Sequence, residues 1–356
     1  MSSLLYYFTI FVVGIVRHLR TARTRLELQL CHRKRIRKLG QKDVLTREQK
    51  AQIRKYFAPY KKHVTTAFHN FYVHTNGEFH VNYLPEDFHY NYIDQYFNDW
   101  RECYYIDNKC FYHRMFTGVR QAENVASRIG GLWFTGDFQQ VTRQELSELL
   151  AREQEIVVKK ATCSEGGKGV YFMKGTDFGE MESQFEDDIA IQRPLKQHEA
   201  MNTINASSIN TIRLISLLSD DGVKIYSTVL RMGTGGARVD NSHSGGLHCG
   251  ITLDGKLKKI AYSAEGKNFD THPDTGLVFE GYELPGYQKC RELVHKLHVQ
   301  VPRFRLVSWD FAIDPEGEPV LIEANLHYGG IELHQMANGP VFGEDTEKIL
   351  KEVFGK

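Results

Sequence analysis

Near the carboxyl end the chain reads Trp309-Asp310, and thirteen residues later Glu323-Ala-Asn325. Glu323 and Asn325 stand two apart in a predicted strand, so their side chains share one face. If the chain turns at residues 315–318, Asp314 faces Pro319, and counting back in antiparallel register sets Asp310 opposite Glu323. Two carboxylates and an amide oxygen then meet on one patch of sheet. Carboxylates that close repel, and a cation between them resolves the repulsion. All three are hard oxygen donors, which suits magnesium carried with a phosphate chain. The alternative is a solvent-facing acidic hairpin. It suits Asp314, Glu316 and Glu318, but Glu323 sits inside the core-like run of residues 320–324.

A second cluster begins with the buried-strand pattern Val157, Val158, Lys159, Lys160 and continues into Gly166, Gly167, Lys168 and Gly169. A lysine leaving a strand supplies a point charge, and glycines let backbone N–H groups close on phosphate oxygens. The spacing is neither that of a P-loop nor GxGxxG, and a plain surface turn is the alternative. Arg213 and Arg231 lie in predicted strands among apolar neighbours. Buried arginines need anions, which a γ-phosphate, an acyl carboxylate or an internal salt bridge would each supply. Asp240, Asn241 and His243 lie in a Gly/Ser-rich loop, residues 233–246, suited to closing over substrate. Cys163 is read as a small filler residue.

These groups need strands and helices to hold them. Thr46 with Gln49, and Thr142 with Glu145, are capping-box pairs that predict helices over 43–58 and 143–152. A terminal helix is predicted over 344–354. Thr75-Asn76-Gly77 predicts a turn between short strands at 71–73 and 79–82. Apolar runs at 155–160 and 170–173, and pairs at 211–218/223–230, 249–253/257–261 and 306–313/319–325, predict strands and hairpins. The aromatics of 63–116, including Tyr72, Tyr83, Phe88 and Trp100, are read as packing. Hairpins outnumber βαβ units, which predicts an α+β fold with large antiparallel sheets.

The 356 residues, 25% charged and 41% hydrophobic, fit two or three soluble units. Basic and acidic residues balance at 45 to 44, which argues against a nucleic-acid partner. Six scattered cysteines without a CxxC pair favour reduced thiols and a cytoplasmic location. Residues 4–16 are apolar and are followed by Arg17, Arg20, Arg23, Arg25 and further basic residues to Lys38. The run is too short to span a bilayer, and its charges follow it instead of preceding it as in a secretory signal. It predicts a helix lying on the anionic cytoplasmic face of a membrane through residues 1–40, or else a docked helix with a solvated basic face.

Over roughly residues 100–345 these features resemble the ATP-grasp superfamily. The metal pattern of that superfamily falls on Asp310, Glu323 and Asn325. Its two nucleotide lysines fall on Lys109, after Asn108, and on Lys159 before the glycine loop. Its adenine hinge falls on Gln192, Arg193 and Leu195, with glutamine where glutamate is frequent, and its ribose acid on Glu199. Within the superfamily the chain is most similar to the sugar-transfer associated group, through Ser208 to Arg213, Leu230 to Gly233, Val239 to Asn241, Gly245-Gly246, Tyr83 to Asp87 and the tail from Asn325 to Gln335. The turn Tyr328-Gly329-Gly330 departs from the usual proline-containing one.

The resemblance implies an ATP-grasp fold of two α+β subdomains gripping ATP, with a lid at 109–190 and a metal-bearing half at 191–356. An aromatic segment at 61–108 and a helical extension at 1–60 precede them. It implies ATP with two magnesium ions, or manganese in their place, and an ADP-forming carboxylate–amine ligase working through an acylphosphate. Arg213, Arg231, Asp240 and Asn241 would serve the substrate. That substrate would be a carboxylate and an amine, free or on a lipid- or nucleotide-linked sugar in surface-polysaccharide assembly. The alternatives are a phosphotransferase to a sugar hydroxyl and a non-catalytic nucleotide-binding partner of a glycosyltransferase.

Overall fold

The structure, a computed structural model, describes residues 12, 14–16, 19, 23, 26, 27, 30, 34, 42–60, 64–99, 102, 103, 106–162, 169–238, 240 and 245–355. The chain divides into two units, residues 1–97 with 339–356, and residues 98–338.

The first unit is helical. Helix Arg47–Phe57 opens with the expected capping box: Gln49 N–H donates to Thr46 Oγ1, and the Thr46 N–H donates back to Gln49 Oε1. It continues past its end into a single 3-10 turn, Ala58–Tyr60. The predicted hairpin of 71–82 is a helix instead, Ala67–Asn76. Gly77, at φ 80°, ends that helix in the left-handed conformation, so the Asn-Gly pair marks a helix C-terminus and not a hairpin turn. The aromatics are packing, as expected: Tyr72 lies 4.8 Å from Tyr83 between ring centroids, and Phe88 lies 5.3 Å from Phe57. Helix Thr346–Phe354 places Phe354 5.4 Å from Phe88. Trp100 lies outside the described residues. Among the described residues no helix is long and apolar enough to cross a membrane. The basic and apolar segment of 1–40 lies largely outside them. Val12, Ile15, Val16, Leu19, Leu26 and Leu30, which are described, are exposed.

The second unit holds two sheets. Its strands are β1 (Arg120–Gln121), β2 (Asn124–Ile129), β3 (Leu132–Thr135), β4 (Gln140–Val141), β5 (Ile156–Lys160), β6 (Val170–Met173), β7 (Ile189–Gln192), β8 (Thr211–Ser219), β9 (Gly222–Met232), β10 (Leu247–Ile251), β11 (Leu257–Ser263), β12 (Asn268–Phe269), β13 (Leu306–Ile313) and β14 (Pro319–Asn325). The smaller sheet has the order β4-β3-β2-β7-β5-β6, and the larger β1-β14-β13-β8-β9-β10-β11-β12. All pairs are antiparallel except β1 with β14. The α+β expectation is met.

Each sheet is apolar on one face and polar on the other, as period-2 alternation dictates. On the larger sheet Ile212, Leu214, Leu230, Met232, Leu247, Cys249, Trp309, Phe311 and Ala324 enter one core, which helix Tyr287–His298 covers. Within it the Trp309 Nε1–H donates to Ser216 Oγ at 2.8 Å, and Ser216 Oγ lies 2.8 Å from His298 Nδ1. His298 Nε2–H then donates to Phe304 O at 2.9 Å, so every polar atom of this buried chain is satisfied. On the smaller sheet Ile156, Val158, Ile189, Ile191 and Trp133 pack with Leu146 and Leu150 of helix Arg143–Leu150, which carries its predicted Thr142–Glu145 capping box. Cys103, Cys110, Cys249 and Cys290 are buried and outside any disulfide among the described residues.

Candidate nucleotide and acceptor site

The polar face of the larger sheet follows from its register. Asp310 pairs with Arg213 on one side and with Glu323 on the other; Thr211 pairs with Arg231, and Arg231 with His248. Cross-strand partners point the same way, so these side chains share a face, together with Asn325 two residues beyond Glu323. Asp310 meets Glu323 as expected, but by a different count. Ile313, not Asp314, faces Pro319, and a bulge at Ile322 restores the register.

The two carboxylates are held apart by cations of the chain itself. The Arg213 fork donates to both oxygens of Asp310, Nε–H at 2.6 Å and Nη2–H at 2.5 Å. Arg231 Nη1–H adds a third bond to Asp310 at 3.0 Å and Nη2–H donates to Asp240 at 3.2 Å. Thr211 Oγ1–H also donates to Asp240. Burial alone would push Asp310 up, but the charge and hydrogen bonds of Arg213, then Arg231 and Asn325, hold it below the usual carboxylate range. Burial likewise works against the Arg213 guanidinium, yet Asp310 keeps it above the ordinary arginine value.

Glu323 has a different partner. The buried Lys109 ammonium donates to its Oε1 at 2.8 Å. Lys109 begins the short helical turn Lys109–Phe111, whose cap, Asn108, accepts the Cys110 N–H. Its own N–H is fixed by Ala161 O at 2.9 Å, just past β5. This ties the end of β5 to the polar face of the larger sheet. Lys159, in β5, shares a face of the smaller sheet with Ala190, Ser127 and, through Val157, Gln192. Ala190, its cross-strand partner, packs with Cys110 and Ala161 in a small apolar cluster. Burial first, and then the charge of Lys109, push the Lys159 ammonium down to about 8, against the pull of Glu323. Gln192 is buried and its Oε1 has no hydrogen-bond partner among the described residues.

The remaining expected residues lie elsewhere. Arg193 turns to the surface, where its guanidinium pairs with Glu153 and Glu123 and its N–H donates to Glu123 O. Leu195 and Glu199 line a 450 Å³ cavity with His198, Asn202 and Pro315; Lys109, Lys159 and Glu323 do not border it. Gly169, at φ 87°, closes back on β5 by accepting the Lys160 N–H. Gly166, Gly167, Lys168, Cys163, Val239, Asn241 and His243 lie outside the described residues.

Three groups escaped the sequence. Asp107 stands one residue before the Asn108-Lys109 pair and accepts the Tyr112 hydroxyl proton at 3.1 Å. Burial raises it, Lys109 opposes, Glu323 adds, and the balance is about 7. His248 and His334 are fully buried histidines beside the arginines. A histidine on the alternating strand Leu247–Ile251 was the available signal for the first.

The residues present suit a nucleotide and, in part, a metal. Among the described residues Lys159 is a half-buried cation without an ion pair, and Gln192 Oε1 is an acceptor without a donor. Glu323 and Asn325 offer adjacent hard oxygen donors on one face. Asp310 does not offer itself in the same way: both its oxygens are taken by guanidinium groups. The expected need for an ion between Asp310 and Glu323 is met instead by Arg213, Arg231 and Lys109. Among the described residues no cluster of three His, Cys, Asp or Glu side chains suits a metal.

Solved structures similar to the chain include an ADP complex of purK, N5-carboxyaminoimidazole ribonucleotide synthetase, at 11% identity and TM-score 0.38, covering 63% of this chain and 46% of that one. The D-alanine-D-alanine ligase from Coxiella burnetii matches at 10% identity and TM-score 0.35, over 67% of this chain and 52% of that one. The ATP-grasp ligase PsnB, complexed with minimal precursor, Mg and ADP, matches at 10% identity and TM-score 0.43, over 73% and 62%. The chain thus spans about half the length of the first two. No curated protein sequence matches it. The model of the sugar-transfer associated ATP-grasp family, by contrast, matches residues 87–351, the stretch that carries both sheets and the side chains of this site, and the chain belongs to that family.

Proposed function

We propose that the protein is an ADP-forming ligase that activates a carboxylate with ATP and joins it to an amine, on a sugar acid or amino acid in the assembly of a cell-surface polysaccharide. The observation that carries this reading is a half-buried cation, Lys159, within electrostatic reach of the Lys109–Glu323 ion pair, with Asn325 on the same sheet face as Glu323. Lys109 and Lys159 hold the nucleotide phosphates as point charges. Gln192 Oε1 accepts from the adenine amine. Glu323 and Asn325 would hold magnesium, which when bound neutralises phosphate oxygens. Asp310 stands behind them and fixes Arg213 and Arg231.

Arg213 and Arg231 orient the carboxylate and spread the charge that grows on the transferring phosphoryl group. A carboxylate oxygen attacks the γ-phosphorus, the bond to the bridging oxygen breaks, and ADP leaves. The amine nitrogen then attacks the acyl carbon, the C–O bond breaks, and phosphate departs as the amine gives up a proton. Asp107, held near neutrality, is placed beside Lys109 to exchange such a proton. Asp240 anchors Arg231, and Asn241, next in the sequence, is assigned to the substrate. Residues 1–40 bring the enzyme to the anionic cytoplasmic surface; removing them should abolish binding to phosphatidylserine vesicles without changing ATP turnover in solution.

The experiment is hydroxylamine trapping with ATP, magnesium and a panel of uronic and amino acids. An acylphosphate yields a hydroxamate. ADP release that gives a stable sugar phosphate and no hydroxamate would mean a phosphotransferase, and no acceptor-dependent ADP release would remove the enzyme reading.

A further inference from the structure

Helix Glu332–Asn338 lies over β9, β10 and β11 and brings a histidine to the polar face of the larger sheet. Gly250 permits this approach: a Cβ there would stand 2.5 Å from Asn338 Oδ1. Asn338 Nδ2–H₂ donates to Thr228 O and to Ser227 Oγ, both at 2.9 Å, which fixes the orientation of its amide. Ser227 Oγ accepts from Asn338, and among the described residues its hydroxyl proton has one other partner within reach, His334 Nδ1 at 2.9 Å, so the arrangement that satisfies that proton has Nδ1 accept it. A neutral imidazole whose Nδ1 accepts carries its own proton on Nε2. His334 is fully buried, and its Nε2 has no partner among the described residues.

The neighbours of that ring are the substrate arginines. Burial, then Arg213, His248 and Arg231, hold His334 far below the usual histidine range, so the ring is neutral. Ser227 and Arg231 are four residues apart on β9 and share its polar face. Arg231 Nε–H is also buried without a partner among the described residues, while its other two nitrogens are committed to Asp310 and Asp240. Two buried donors near one another thus lack an acceptor among the described residues, a costly arrangement that a ligand would relieve.

The geometry points to a two-donor subsite: His334 Nε2–H and Arg231 Nε–H hold the oxygens of a carboxylate-bearing substrate. This rests on the ligase reading, and it names the residue that recognises the acid. The Ser227–Asn338 pair acts behind it, holding the imidazole in the Nε2–H tautomer.

Substitution by Gln and Asn separates the roles. Glutamine carries a donor near the Nε2 position, whereas asparagine reaches only the Nδ1 position and keeps the Ser227 bond. The test uses the full chain with histidine nitrogens labelled, titrated with glucuronate and, as the bare carboxylate, acetate, and read by NMR without ATP. His334 should show the Nε2–H tautomer at neutral pH, and that proton should shift as glucuronate binds. In His334→Asn the glucuronate affinity should fall about tenfold or more, with His334→Gln within about threefold of wild type and ADP affinity unchanged in both. An Nδ1–H tautomer, no shift with either carboxylate, or equal loss in the Gln and Asn variants would overturn the proposal. Since no turnover is needed, carboxylate binding that persists without hydroxamate formation would sink the ligase chemistry and leave this subsite standing.

Discussion

Asp310 and Glu323 are neighbours in register but serve different ends. Asp310 is nearly inaccessible and carries three guanidinium bonds, so Asp310→Asn leaves Arg213 and Arg231 buried with half their counter-charge. We expect a loss of about 3–5 kcal/mol in urea unfolding, with turnover falling because the arginines lose their anchor. Glu323→Gln should cost less stability, since Glu323 is partly exposed, and should abolish magnesium-dependent turnover outright. Equal destabilisation by the two variants would contradict this division. Lys159 gives a pH signature. Its free ammonium loses its proton near 8, well below a normal lysine, and bound phosphate favours the charged form. Nucleotide affinity should therefore hold below that value and decline as pH rises through it, with proton uptake on binding; isothermal titration in two buffers measures both. The thirteen-residue spacing and the shared strand face made these groups visible in the sequence. The ion pairs that occupy them were not visible, because no local pattern says that Arg213, almost a hundred residues earlier, lies on the adjacent strand.

At the scale of elements, hydrophobic alternation and capping boxes located the strands and the longer helices well, because each is a local property. The 71–82 segment failed for a physical reason: Asn-Gly serves both a hairpin turn and a helix end, and only the packing of Phe68, Phe71 and Tyr72 on one helical face decides. The bulge at Ile322 was equally invisible, although it returned the expected pair. Two substitutions probe these elements. Thr142→Ala removes the side-chain half of a capping box, the Oγ1 that accepts the Glu145 N–H, and should cost about 1 kcal/mol by chemical denaturation, without touching the site. Gly250→Ala should do more, since its Cβ would displace Asn338 and, with it, the Ser227 anchor of His334. We expect a fall in melting temperature together with weaker glucuronate binding, whereas a change in stability alone would detach the helix from the site.

For the molecule as a whole, charge is nearly balanced, but buried histidines make stability depend on acid. Burial lowers His69 and His298 to about 4 and His89 to about 3. Below the unfolded value of 6.5 the unfolded chain takes up protons that the folded one refuses, so stability is full above that pH and is lost as pH falls toward 4. Each histidine should contribute about 1.4 kcal/mol per pH unit in that window, and a flat melting temperature between pH 7 and 5 would contradict it. The sequence showed the α+β class and the family, but not the grouping of residues 339–356 with 1–97, which depends on long-range packing. The central claim is that Lys159 and the facing Glu323 and Asn325 receive a nucleotide with its metal. Calorimetric titration of ADP into the full chain, with and without magnesium, tests it most directly. Wild type should bind ADP in a magnesium-dependent manner, and Lys159→Ala should bind about tenfold more weakly or worse; equal affinity in the two proteins, or binding indifferent to magnesium, would contradict the account.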